Sequence, residues 1–178
     1  MTRAQLEHIL RAAGDIAEDD AIVVIGSQAI LAQFPDAPPA LRVSVEADVF
    51  PLNYPERADV IDGSIGELSP FHSTYGYYAQ GVAEETACLP DGWKNRLVVV
   101  QNENTRGVKG LCLEIHDLVV SKVIAGREKD LDFLLQVVKH RLAKKRILLD
   151  RLATTHVDAA RMARARTAIE RAFGPDSA

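Results

Sequence analysis

Apolar residues recur at three- and four-residue intervals at the start of the chain. Leu6, Ile9, Leu10 and Ala13 mark an amphipathic helix from Thr2 to Ala17, with Thr2 as its N-cap and the acidic turn Glu18-Asp19-Asp20 as its end. The period then changes. Ile22 to Ile25 is a β-branched run, and Gly26-Ser27 follows it as a tight turn with Ser27 as cap. Gln28 to Phe34 returns to helical spacing. Pro35, Pro38 and Pro39 interrupt regular structure until Val43, where alternation begins. On this strand, Val43 to Pro51, Val45, Ala47 and Val49 take one face, and Ser44, Glu46 and Asp48 take the other.

Pro55 to Leu68 reads as a helix weakened by Gly63 and Gly66, and SPFHSTYGYYAQG, Ser69 to Gly81, as an irregular piece ending in a strand with an aromatic edge. The turn Leu89 to Trp93 precedes a strand over Arg96 to Gln101, and the glycines at 107 and 110 mark a turn before another over Leu111 to Ile115. A mixed sheet of about five strands is implied. From Asp117 onward the pattern is helical: Leu118 to Ala125, Lys129 to Leu142, Lys145 to Leu152 and Asp158 to Phe173. In the second of these helices Leu131, Leu134, Leu135 and Val138 form the expected buried stripe, with Asp130 at its border and Asp132 further out. Gly174-Pro175 closes the last helix, and the final residues are expected to be loose.

The fold class implied is α/β (α+β): a mixed sheet flanked by helices, with a C-terminal helical bundle. Two parts are expected, an α/β core over 1–115 and a helical region over 116–178 that completes the active cleft.

With 178 residues, 47% hydrophobic and 26% charged, the chain is an ordinary globular sequence. No apolar run approaches the ~20 residues that span a bilayer, and the N-terminus lacks a basic-then-apolar signal pattern, so a cytoplasmic protein without membrane contact is expected. Cys88 and Cys112 stand far apart without a Cys/His cluster, which argues for buried, reduced thiols and against zinc. The net charge of −4 hides an asymmetry: Lys139 to Arg171 holds ten Lys/Arg against three Asp/Glu, a local excess of +7. Such a segment beside an acidic body can bind polyanions.

The candidate chemistry gathers in two places. Free backbone N–H groups at the Gly26-Ser27 turn can take a phosphate, with Gly26 admitting its close approach and Ser27 donating to it. Glu46 and Asp48, about 6.5 Å apart on one strand face, can converge on a divalent ion. Each feature also has a plain structural account: a strand-to-helix turn, and the solvated face of an edge strand. His72 reads as a hydrogen-bonded structural residue and Trp93 as a packing anchor.

Gly26-Ser27 followed by Glu46-x-Asp48 resembles the nucleotidyltransferase fold superfamily. The stretch HDLVVSKVIAGREKDLDFL, His116 to Leu134, is similar to the toxin-type branch related to the AbiEii toxins, and most to the DUF6036 group. The resemblance covers roughly Ile22 to Phe133 and lies in the order of three pieces. It implies catalytic roles for Asp48, Glu46, Lys122 and Asp130, and nucleotide binding by Gly26, Ser27 and Lys122. It also implies Mg²⁺, or Mn²⁺ in its place, on Glu46 and Asp48, with Glu114 as the candidate third carboxylate by position. The first acidic position, usually Asp in active members, is Glu46 here. Lys122 and Asp130 also have plain accounts, a surface lysine and a favourable charge at a helix start.

Two functions follow. One is a Mg²⁺-dependent nucleotidyltransferase using a nucleoside triphosphate, with an RNA (tRNA) or protein acceptor, as the toxin of a pair with an antitoxin. The other is a binding module that keeps the fold and has lost turnover.

Overall fold

The computed structural model describes residues 1–174. The expected loose end, 175–178, lies outside the described residues. The chain divides into two compact units: Met1–Thr86 with Leu97–Leu113, and Ala87–Arg96 with Glu114–Ala178.

The first unit opens with α1, Arg3–Ala17, whose N-cap Thr2 accepts from the Gln5 amide while the Gln5 side chain accepts from the Thr2 amide. This reciprocal cap is worth about 1 kcal/mol. Five strands form one mixed sheet in the order β3-β2-β1-β5-β4. They are β1 (Ala21–Val24), β2 (Glu46–Pro51), β3 (Tyr78–Gly81), β4 (Val98–Val100) and β5 (Lys109–Cys112). β1 runs antiparallel to β2 and parallel to β5. β2 is parallel to β3, and β4 is antiparallel to β5. Every residue of β1 is buried, as a central strand with a continuous apolar run should be. α1 lies close on β5 because Gly110 has no side chain there: a Cβ would collide with Leu10. Leu6, Ile9, Leu10 and Ala13 are fully buried as the spacing predicts, each large side chain contributing roughly 1.5–3 kcal/mol.

Asp19, which the sequence marks only as part of the acidic turn ending the first helix, is buried. Its Oδ1 accepts from the Ala21 amide at 2.9 Å, and its Oδ2 from the Asn53 amide at 2.8 Å. One carboxylate thus ties the start of β1 to the end of β2 and helps fix the register on which the candidate site depends.

Several expectations are corrected. The segment after Gly26 is a 3-10 helix, Ser27–Ala32, and not an α-helix to Phe34. Gly26 is its N-cap and Ser27 its first residue, so Ser27 makes no cap. Val45 is 45% exposed and precedes β2, so the apolar face of that strand is Ala47 and Val49. Pro55 to Leu68 resolves into a 3-10 turn, Pro55–Arg57, and α2, Ala58–Ile65. The piece read as irregular contains α3, Pro70–Tyr75, capped by Ser69 and closed by Gly76 at φ 74°.

The second unit holds α4 (Ile115–Ala125), α5 (Glu128–Lys139), α6 (Lys145–Ala153) and α7 (Ala159–Phe173). The predicted stripe of α5 is rotated: Asp130, Phe133, Leu134 and Val137 are buried, while Leu131 and Leu135 are 38% and 51% exposed. The displaced position is taken by a carboxylate, which is why apolar spacing alone misplaced the face. Asp117, fully buried, accepts two bonds from Arg96 at 2.8 and 3.0 Å, with Arg151 3.5 Å away. Trp93 is buried as expected. Cys112 is buried, but Cys88 is only half-buried; both are free. Among the described residues no helix is long and apolar enough to cross a membrane.

Candidate functional site

In the first unit, β1 delivers the Gly26-Ser27 turn beside the two carboxylates of β2. The register pairs Val24 with Val49, and beyond the last pair the Ile25 amide donates to the Asp48 carbonyl at 3.1 Å. Gly26 therefore comes to rest against Asp48. A Cβ at position 26 would fall on the Asp48 carboxylate. The first bond of the 3-10 helix is Ala29 N–H to the Gly26 carbonyl at 3.0 Å, so the amides of Ser27 and Gln28 precede the helical ladder. Ser27 is half-buried. Gln28 is fully buried, and its Oε1 has no hydrogen-bond partner among the described residues.

Glu46 stands two residues before Asp48 on the same side of β2. In the parallel pairing with β3, Glu46 lies opposite Tyr78 and Asp48 opposite Gln80. The Tyr78 hydroxyl donates to Glu46 Oε2 at 3.0 Å. Burial, then the bond to Glu46 and the negative charge of Glu46, Glu67 and Asp48, push the Tyr78 phenol up to about 12. The hydroxyl is thus kept protonated as a donor to Glu46. Tyr78 was missed in the sequence because it read as part of an aromatic edge; only the register shows what it faces. His72, as expected, is a structural residue, accepting from the Leu68 amide at 3.1 Å and lying 4.6 Å from the Tyr78 ring.

These carboxylates suit a magnesium ion by donor chemistry. Mg²⁺ takes hard oxygen ligands and is usually held by one or two carboxylates together with substrate phosphates and water, not by a full protein cage. Among the described residues no group of three or more His, Cys, Asp and Glu could hold a metal, so the two carboxylates of β2 offer that partial set. The first unit carries six Lys/Arg against fifteen Asp/Glu. A triphosphate binding to so acidic a unit requires accompanying positive charge.

In the second unit Lys122 and Asp130 come together. Asp130 is fully buried and meets Lys122 Nζ at 3.2 Å through Oδ1 and Arg127 Nε at 2.7 Å through Oδ2. Lys122 Nζ also lies 5.0 Å from the centre of the Phe133 ring. Burial works to raise the Asp130 carboxyl, but the Arg127 bond and the Lys122 charge outweigh it and hold the group below its ordinary value. Lys122 is therefore a half-buried member of an ion cluster built on buried Asp130 and not the surface lysine of the plain account. Arg127 belongs to the same cluster.

Glu114 also belongs to this unit. β5 ends at Cys112, so Glu114 is not on a strand; it is the N-cap of α4 and accepts from the His116 amide at 2.9 Å. Its Oε1 lies 2.7 Å from His116 Nδ1, and His116 Nε2 accepts from the Lys144 amide at 3.0 Å. This network places the imidazole proton on Nδ1, donating to Glu114. Burial acts to raise the Glu114 carboxyl, but the side-chain and backbone hydrogen bonds from His116 outweigh it and lower the group.

The fold, the glycine turn and the carboxylate pair define a nucleotidyltransferase-like α/β protein. The profile of a family described as "Nucleotidyltransferase of unknown function (DUF6036)" matches residues 4–169, and the chain belongs to that family. No curated protein matches it, and no solved structure does.

Proposed function

We propose that the chain transfers a nucleotidyl group from a nucleoside triphosphate to a hydroxyl acceptor on RNA or protein, with Mg²⁺ held by Glu46 and Asp48. The observation that carries this reading is the packing of the Asp48 carboxylate against side-chain-free Gly26 at the mouth of the turn. In the proposed reaction the acceptor oxygen bonds to the α-phosphorus, the bond to the β-phosphate oxygen breaks, and pyrophosphate leaves. The acceptor proton passes to a carboxylate or water. Positioning and charge neutralisation supply most of the rate in such chemistry. The Gly26-Ser27 turn would take the β and γ phosphates on its amides and the Ser27 hydroxyl. Mg²⁺ would neutralise phosphate charge. Tyr78 orients Glu46. Lys122 is assigned to phosphate neutralisation, with Asp130 as the group that holds its ammonium, on resemblance alone; the toxin and antitoxin setting rests on the same resemblance.

A second reading, nucleotide binding without turnover, is favoured by one observation. Position 46 carries the longer Glu, and one of its oxygens is engaged by Tyr78.

Calorimetry with each nucleoside triphosphate, with and without Mg²⁺, tests the binding. Metal-dependent binding to at least one is expected, and Asp48→Asn should abolish it while the apo protein melts at the same or a higher temperature, since repulsion from Glu46 is removed. No metal-dependent binding to any of them overturns the proposal. Release of pyrophosphate in the presence of acceptor separates transfer from binding without turnover.

A further inference from the structure

The second unit carries fifteen Lys/Arg against ten Asp/Glu, the reverse of the first. The excess is concentrated at one junction. Five of the eight residues from Lys139 to Arg146 are Lys or Arg, and none is acidic. Lys139, Arg141, Lys144 and Arg146 are exposed, Arg146 to 91% of its side chain. Among the described residues no carboxylate lies within 4.0 Å of Lys139, Arg141 or Lys144, and Arg146 has only Asp150 at 3.9 Å. Lys145 Nζ donates to the Gly174 carbonyl at 3.0 Å, which brings the end of α7 beside the start of α6. Arg171, exposed in the last turn of α7, stands three residues before Gly174 and so near this junction. Arg164, also exposed, lies seven residues earlier on the same flank, about 10 Å back along the helix. The other flank of α7 carries the Arg166 and Glu170 pair at 4.0 Å.

The local order of charge is unfavourable without a partner. The first turn of α6 contains Lys145 and Arg146 and no acid, and its cap Lys144 supplies no side-chain bond. Positive charge at a helix N-terminus opposes the macrodipole, by roughly 0.3–1 kcal/mol per group, and an anion there reverses the sign.

What kind of anion follows from what the surface lacks. Of the apolar residues of α6 and α7, Leu148, Leu152, Ala165 and Ile169 are buried and Ile147, Leu149, Met162 and Phe173 are half-buried, so from Lys139 to Gly174 no large apolar side chain is fully exposed. A membrane-surface helix needs an exposed apolar face, and a protein interface gains most of its energy from buried aromatic or aliphatic anchors. A phosphodiester backbone needs neither; it is held by charge. We propose that the surface formed by the α5–α6 junction and the Arg164 and Arg171 flank of α7 binds the backbone of single-stranded RNA. This deepens the proposed transferase reading by naming its acceptor, but the binding is tested apart from it.

The experiment is fluorescence anisotropy of the full chain with a labelled single-stranded 20-nucleotide RNA across a salt series. Duplex DNA and phosphatidylserine vesicles are run in parallel. About five phosphate contacts predict a log-log salt slope near −3.5, at about −0.7 per contact. The triple variant R141E/K144E/R146E should lose at least tenfold in affinity and about 2 in slope. Its fold is checked by circular dichroism, and if it fails to fold, the milder pair R141Q/K144Q should lose about 1.4 in slope. No RNA binding at low salt overturns the proposal. So does an unchanged slope in a folded variant, vesicle binding without RNA binding, or duplex DNA bound as tightly as RNA. Calorimetric binding of Mg²⁺ and triphosphate is followed on the same samples. If it persists while RNA binding is absent, this inference falls and the transferase reading stands.

Discussion

Asp48 and Gly26 occupy adjoining space so closely that a side chain at position 26 would begin where the Asp48 carboxylate lies. The Gly26 backbone is ordinary, with φ −81°. A substitution there is therefore disfavoured by collision and not by backbone strain. Gly26→Ala should push the Asp48 carboxylate off its position and cost about 1–3 kcal/mol, the usual penalty of overpacking. Melting curves with and without Mg²⁺ and triphosphate check this. The variant should gain little or no ligand-induced stabilisation where wild type gains a clear shift. An Ala variant that melts and binds like wild type would show that the two residues do not share this space.

Tyr78 acts on the site through Glu46. Tyr78→Phe removes the hydroxyl and leaves the ring in place, so the loss of stability should be about 1 kcal/mol, that of one net hydrogen bond. The effect on metal-dependent nucleotide binding should be larger in proportion, about 10–100-fold, as for other groups that orient a ligand. Titration of Mg²⁺ at fixed nucleotide gives the comparison. Equal metal dependence in both proteins would mean that Glu46 does not need its partner.

Asp130 and Asp132, two residues apart on α5, should respond very differently to loss of charge. Asp130→Asn removes the charge of the buried carboxylate that meets half-buried Lys122 and exposed Arg127, and should cost about 1–3 kcal/mol, less than breaking a fully buried pair. Asp132 is exposed, and Asp132→Asn should stay within about ±0.5 kcal/mol. Acid gives an independent check. The folded carboxyl of Asp130 is depressed below its unfolded value, so its stabilisation is fully present above the ordinary Asp range, near ~3.9, and is lost as pH falls through the lower folded value. Glu114 is depressed in the same direction. Denaturant midpoints of wild type should therefore fall between about pH 5 and pH 2, and Asp130→Asn should flatten part of that fall.

Local patterns were readable where the local chain determines them. The Thr2 cap, the buried β1 run, the five-strand mixed sheet and the four C-terminal helices all follow from spacing and breakers close in sequence. What escaped depends on partners far along the chain. Asp19 reads as no more than part of an acidic turn because its partners at Asn53 and Tyr54 lie more than thirty residues away. Tyr78 gained its meaning only from the register that sets it opposite Glu46. The face of α5 was misjudged because a paired carboxylate fills a buried position that a hydrophobic count leaves to solvent. The α3 helix is a different case: Ser69, Pro70 and Gly76 are ordinary start and stop signals, and six residues are too few for periodicity to speak.

Cys112 offers a probe of the candidate site that does not depend on turnover. It lies on β5, opposite Val24 of β1 in the parallel ladder, so it is covered as long as the strand leading to Gly26 stays paired. Burial pushes its thiol up to about 12, which leaves roughly one part in ten thousand as thiolate at pH 8. A thiol reagent should therefore modify half-buried Cys88 first and reach Cys112 only when the unit opens. In a Cys88→Ser variant, used to isolate the second thiol, modification of Cys112 reports that opening. Ligands that bind only the folded form suppress it: at a hundred times Kd the stabilisation is about 2.7 kcal/mol, or about a hundredfold in rate. Mg²⁺ with a nucleoside triphosphate should slow the reaction by that order, whereas either alone should not. In Cys88→Ser carrying Asp48→Asn, the pair should lose its effect. Equal protection with and without Asp48 would place the nucleotide away from the β1 turn and remove Asp48 from the metal site.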